Sequence, residues 1–113
     1  MTKPQRIQLS RSKGFKLQEH SLALNGLPAV KVDRATQWGN DCTIEDYGSA
    51  ERAVDMFDHD LDKFETFHPS KYAAWIKPLI GKNVACWCAP DAFCHGDILI
   101  RRAAEFACSE AAA

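Results

Sequence analysis

The sequence predicts a small α/β (or α+β) fold, a three- to four-stranded sheet with about three helices packed on it. Three observations lead there. At 113 residues the chain has the length of one domain, expected to span 1–113. Its 46% hydrophobic and 26% charged residues give a globular composition that can bury a core without a metal or disulfide staple. Short apolar runs of strand type also alternate with segments of helical period, in the order strands, helix, helix, strand, helix.

RIQLS at 6–10 alternates polar and apolar side chains and reads as the first strand. Gly14 permits a turn after it. Asn25-Gly26, between two apolar stretches, is the strongest short hairpin signal in the chain. Pro28 argues against a long strand before it, and AVKVD at 29–33 reads as the next strand. QWGND at 37–41 is a loop.

Ser49 suits a helix N-cap, with Glu51 in the first turn where it complements the dipole. Ala53, Val54, Phe57, Leu61 and Phe64 then share one face, while acidic residues and an exposed His59 occupy the other. Pro69 suits the first turn of a second helix, with Tyr72, Ala73 and Ile76 inward and Trp75 near the edge. Pro78 ends that helix and Gly81 turns the chain. KNVACWC at 82–88 reads as a buried strand. A last helix is expected over 95–108, with Leu99, Ala103 and Phe106 on one face, and the alanines 111–113 fray.

Charge and cysteine usage narrow the setting. The net charge is −1, yet residues 1–16 carry five basic side chains (Lys3, Arg6, Arg11, Lys13, Lys16) and no acidic one. Residues 45–65 carry eight acidic against two basic side chains. The near-neutral balance argues against wholesale coating of nucleic acid, while the basic arm can meet phosphate. The N-terminus has no apolar h-region, so no signal peptide is expected, and no apolar run approaches the ~20 residues of a membrane span. Five cysteines, an odd number, point to a reducing cytoplasm rather than a disulfide framework.

The chemistry concentrates in CWCAPDAFCHGD at 86–97. On a strand, period two points Cys86 and Cys88 to one face and Trp87 to the other. Cys94 follows where the last helix begins, so three sulfurs can converge at the C-terminal end of a buried strand, where open α/β sheets hold ligands. Zinc is one reading, with Cys86, Cys88, Cys94 and His95 as ligands, or with His20, His68 or Asp97 as the fourth; the spacing is not that of a zinc finger. A reactive thiol is another. A helix N-terminus favours the Cys94 thiolate, with His95 as proton carrier and Asp97 as orienting carboxylate. Inert burial of Cys86 and Cys88 is the third, and Cys42 and Cys108 are structural bystanders.

RIQLSRSKGFKL, TQWGND and LIGKNVACWCAPDAFCHGDIL together resemble a small family from bacteriophages and bacteria, described as a domain of unknown function. Its members read like R-I-Q-R-x-R-x-K-G-W, then W-G-N-P-F, then G-K-x-L-x-C-W-C-P and C-H-[AG]-D. The resemblance falls on Arg6, Arg11, Lys13 and Gly14, on Trp38, Gly39 and Asn40, and on Gly81, Lys82, Cys86, Trp87, Cys88, Cys94, His95, Gly96 and Asp97. This chain differs at Phe15, at Asp41-Cys42 and at Ala89-Pro90. The resemblance implies a phage or bacterial origin and no established reaction.

Residue chemistry and resemblance join these stretches into one expected site: catalytic Cys94, His95 and Asp97, with Arg11, Lys13, Gly14, Trp38, Gly39, Asn40 and Gly96 binding ligand. Cations, a helix N-terminus and a stacking tryptophan suit a nucleotide-like or phosphorylated small molecule, bound or turned over. The other expectation is a zinc-bearing interaction module of phage origin that binds a host protein or nucleic acid, in the host cytoplasm.

Overall fold

The computed structural model describes residues 3–112; Met1, Thr2 and Ala113 lie outside it. Three short strands, β1 (Arg6–Gln8), β2 (Ala29–Lys31) and β3 (Asn83–Cys86), form one sheet in the order β1-β3-β2, both pairings parallel. Parallel neighbours need crossovers, and helices supply them. Helix α1 (Leu17–Asn25) joins β1 to β2. Helices α2 (Ile44–Tyr47), α3 (Ala50–Phe67) and α4 (Pro69–Ile76), then a 3-10 turn (Lys77–Leu79), lead to β3, and α5 (His95–Ala112) closes the chain.

The mixed α/β class is as expected, with a three-stranded sheet and five α-helices rather than about three. The added helices are α1 and α2. Where a hairpin was expected at Asn25-Gly26, helix α1 ends instead: Gly26 takes φ 79° and returns its N–H to the Leu22 carbonyl. Gly supports a left-handed helix cap as readily as a hairpin turn, so the dipeptide alone is ambiguous. Long-range contacts settle it. Asn83, at the start of β3, donates to Ser21 Oγ at 2.7 Å and Asn25 Oδ1 at 2.8 Å, and accepts from Asn25 Nδ2 at 2.8 Å. Ser21 and Asn25 stand four residues apart on one helical face, which only the helix provides. The Gln18 amide brackets the backbone of Ala29, tying α1 to β2.

Strand β3 is buried along its whole length. Val84 and Cys86 face a core of Phe57, Leu61, Tyr72, Ile76, Leu79 and Leu99, built by α3, α4, the 3-10 turn and α5. Ala85 faces the opposite way, into a smaller cluster with Ile7, Leu9 and Ala29. Period-two alternation thus holds, and it puts Cys86 on the face covered by α5. Helix α3 starts as expected, with the Ser49 hydroxyl accepting from Arg52 N–H. Helix α5 runs to Ala112, so Ala111 and Ala112 continue it rather than fray, while Ala113 lies outside the described residues. No helix among the described residues is long and apolar enough to cross a membrane.

Candidate functional site

The three sulfurs of Cys86, Cys88 and Cys94 lie within 4.8 Å of one another. Cys86 closes β3, Cys88 stands two residues further on, and Cys94 precedes α5. The strand-to-helix junction therefore folds the peptide back on itself and gathers the thiols where β3 ends.

Arg6 holds that junction. Its Nη2 donates to the carbonyls of Pro90 at 2.8 Å and Ala92 at 3.0 Å, and its Nε lies 3.4 Å from Asp97 Oδ1. Burial works against its charge, and the neighbouring Cys94 sulfur and Asp97 carboxylate more than restore it. Gly96 makes room for this packing. A Cβ there would come within 3.1 Å of Arg6 Cδ and 3.3 Å of Val84 Cγ2.

His95 is buried, and its Nε2 lies 2.6 Å from the Val32 carbonyl at the end of the neighbouring strand. A carbonyl only accepts, so Nε2 carries a proton, and in the neutral ring Nδ1 presents a bare lone pair. Nδ1 stands 3.7 Å from Cys94 Sγ. The Phe57 ring meets the imidazole edge-on at 5.4 Å and fixes its plane.

Cys94 is the acidic member of the cluster. The Cys86 thiol, 3.1 Å away, stabilises its thiolate most; burial opposes it; the Gly96 N–H and Cys88 add to the lowering. Cys86 is pushed far up by the same contact and by burial, and Cys88 is raised chiefly by burial. The Gly96 N–H reaches Cys94 Sγ at 3.4 Å, so the open amide of the helix start serves the sulfur.

A cavity of about 380 Å³ opens above the cluster. Its floor is Cys86, Cys88, Cys94 and His95, and its walls include Ile44, Ala50, Ala53, Val54 and Phe93. Asp33, Arg34 and Asn40 add polar groups. Asp33 Oδ2 accepts from Trp87 Nε1 at 3.1 Å, whereas its buried Oδ1 and the buried Arg6 Nη1 find no hydrogen-bond partner among the described residues. No ion pair engages Arg34 among the described residues.

The expected site residues are only partly brought together. Cys94 and His95 line the cavity. Asp97 is exposed and turned to Arg6, and the carbonyl of Val32, not Asp97, orients His95. Arg11 stacks on the outer face of Trp87, with its guanidinium carbon 4.7 Å from the ring centroid. Lys13 and Gly14 form an exposed turn off the cavity lining, with Gly14 at φ 90°.

Trp38 packs against the core and donates Nε1–H to the Trp75 carbonyl at 2.8 Å, so its ring is not a stacking platform in the cavity. Gly39 is required by its own loop, since a Cβ would fall 2.6 Å from Arg34 Cα. Asn40 shapes the wall by donating to the Ala53 carbonyl and accepting from Cys42 N–H. Gly96 packs beneath the junction. Among the other donors weighed for a metal, His20 sits on Phe15 and His68 on Phe64. Cys42 lines the cavity wall, and Cys108 is exposed on α5.

Asp33, Arg34 and the Val32 carbonyl are the groups sequence reasoning missed. One signal was available: residues just beyond the C-terminal end of a parallel strand line the ligand crevice of open α/β sheets. Residues 7–105 match the model of a family described as a domain of unknown function (DUF4326). No curated protein and no solved structure matches the chain.

Proposed function

The chain belongs to the DUF4326 family, and we propose that it is a small-ligand-binding α/β domain for a nucleotide-like molecule. The observation that carries this reading is Asp33 Oδ1, a buried carboxylate oxygen without a partner among the described residues, on a residue that lines a cavity of about 380 Å³. A buried acceptor left unpaired costs about 1–3 kcal/mol, and a ligand N–H would recover it. The cavity falls in the size range of small-molecule sites, apolar with a few polar groups.

In this reading a flat heterocycle lies between Ile44, Val54 and Phe93 and donates a ring or exocyclic N–H to Asp33. Arg34, at the rim, pairs with the ligand's phosphate. The free thiols suit a reducing cytoplasm, that of a bacterial host if the gene is a phage's.

A thermal-shift panel of nucleobases, nucleosides and nucleoside monophosphates, followed by calorimetry on the hits, tests the proposal. At least one nucleotide is expected to bind one site per chain, and Asp33→Asn and Arg34→Ala are each expected to weaken it tenfold or more. Failure of the whole panel to bind, or binding unchanged in both variants, would overturn it.

A further inference from the structure

We propose that Cys86, Cys88, Cys94 and Nδ1 of His95 hold a zinc ion at the floor of the cavity. Three sulfurs within 4.8 Å of one another are more than a dithiol needs: a Cys86–Cys94 disulfide would leave Cys88 and the aimed imidazole unexplained. Zinc uses all four.

Two distances bear on a tetrahedron, while His95 Nδ1 stands outside the group of three mutually close sulfurs and must turn toward Cys86 and Cys88 to complete it. With Zn–S of ~2.3 Å and Zn–N of ~2.0–2.1 Å, two sulfurs stand ~3.8 Å apart and a sulfur and an imidazole nitrogen ~3.6 Å apart. Cys94 Sγ and His95 Nδ1 are separated by 3.7 Å. The Cys86 and Cys94 sulfurs must open from 3.1 Å to about 3.8 Å. Cys94 lies in the junction rather than in the sheet, so its movement breaks no strand pairing.

The surroundings are those a thiolate-rich site needs. A ligating histidine almost always donates its second nitrogen to a carbonyl or carboxylate, which fixes the tautomer. Val32 accepts that bond here at 2.6 Å. Three thiolates and one divalent cation leave one net negative charge, and the Arg6 guanidinium lies beside it with Nη1 unpaired among the described residues. The Gly96 N–H adds a backbone donor to Cys94 Sγ. Sulfur with imidazole selects zinc over the hard cations, which prefer oxygen. On binding, the remaining thiol protons leave to solvent and the ion takes their place.

The ion is measured with no ligand present, so it stands or falls separately from the nucleotide. Untagged protein, purified reduced and without added metal, is expected to contain about one zinc per chain by elemental analysis. Cobalt(II) added to the chelator-stripped, reduced protein is expected to give thiolate-to-metal charge-transfer absorption of a three-sulfur tetrahedral site, displaced by one equivalent of zinc. Cys88→Ser, at a half-buried position outside the sheet, is expected to lose at least about 100-fold in zinc affinity. His95→Gln is expected to keep the thiolate bands and lose at least tenfold. Should a variant fail to fold, the cobalt spectrum of the unaltered protein still decides. A folded, reduced protein without zinc that takes up no cobalt would overturn the proposal. So would zinc retained in full by both variants, or a native Cys86–Cys94 disulfide found by peptide mass.

Discussion

His95 and Val32 meet through one hydrogen bond, imidazole Nε2–H to backbone carbonyl at 2.6 Å, across two elements sixty-three residues apart. The bond ties the start of α5 to the end of β2 and turns the free Nδ1 lone pair toward Cys94. The expected outcome in nitrogen-15 spectra at mildly alkaline pH is a His95 ring in the Nε2–H tautomer. A ring protonated at Nδ1 instead would contradict this geometry.

Asn83 is the polar hinge of the sheet, fully buried and bonded to Gln5 N–H, Ser21 Oγ and both amide atoms of Asn25. Asn83→Ala leaves several buried groups unpaired at once. The expected loss is about 2–4 kcal/mol, since each abandoned group costs about 1–3 kcal/mol and the cavity allows partial rehydration. Urea unfolding measures it. A loss below about 1 kcal/mol would mean that α1 is not held by this network.

Arg102 is 4% exposed and bonds to the Asp58 carboxylate and carbonyl and to Asp62. Arg102→Met is expected to cost about 3 kcal/mol, because Asp58 loses its inner partner. Burial alone would raise the Asp58 carboxyl, but hydrogen bonds and charge from Arg101 and Arg102 outweigh it and hold it below the usual carboxylate range. The folded pKa lies below the unfolded one. The stabilisation is therefore full above the unfolded value of ~3.9 and is lost as pH falls through the folded value. Asp58→Asn is expected to lower stability at neutral pH and to flatten the acid limb. An acid limb as steep as in the unaltered protein would remove Asp58 from the account.

Gly39 and Gly14 separate two reasons for glycine. A Cβ at Gly39 would fall 2.6 Å from Arg34 Cα and 2.8 Å from the Asp33 carbonyl, both backbone, so Gly39→Ala must push the loop open. About 1–3 kcal/mol is expected, with loss of ligand at the cavity that Asp33 and Arg34 line. Gly14 has open space around it but φ 90°, so Gly14→Ala is expected to cost only the left-handed strain of ~1–2 kcal/mol and to leave ligand binding unchanged. Denaturation and calorimetry on both variants check the contrast.

Arg6 fastens the 89–94 segment through the Pro90 and Ala92 carbonyls. Arg6→Gln removes two charge-assisted bonds of about 1.5–3 kcal/mol each. Amide exchange in that segment is expected to accelerate at least tenfold while β3 exchanges as before. Unchanged exchange would show that the junction holds without the arginine.

Much of the fold is legible in the chain. The Ser49 cap, the Ala53–Phe57–Leu61 stripe, Pro69 at a helix start and the apolar run into Cys86 are local signals, and each predicts its element. The convergence of Cys86 and Cys94 is legible too, because a strand end and a following helix start are short-range geometry, whereas Cys88 lies beyond the end of β3, where strand alternation does not place it. Asn25-Gly26 is not, since one dipeptide serves a hairpin or a helix end, and its partner Asn83 stands fifty-eight residues away. Trp38 fails likewise: an exposed ring and one bonded to the Trp75 carbonyl read the same in sequence.

By itself, then, the sequence determined the three strands and helices α3, α4 and α5 around one cysteine-rich junction, though not α1 or α2, because periodicity, caps and turns act over a few residues. Tertiary structure alone decided the parallel order β1-β3-β2, the carbonyl that orients His95, the turning of Asp97 to Arg6, and the cavity that Asp33 and Arg34 share with the thiols. Those depend on which distant backbone groups are left to pair once the core has closed, and no local pattern encodes that choice.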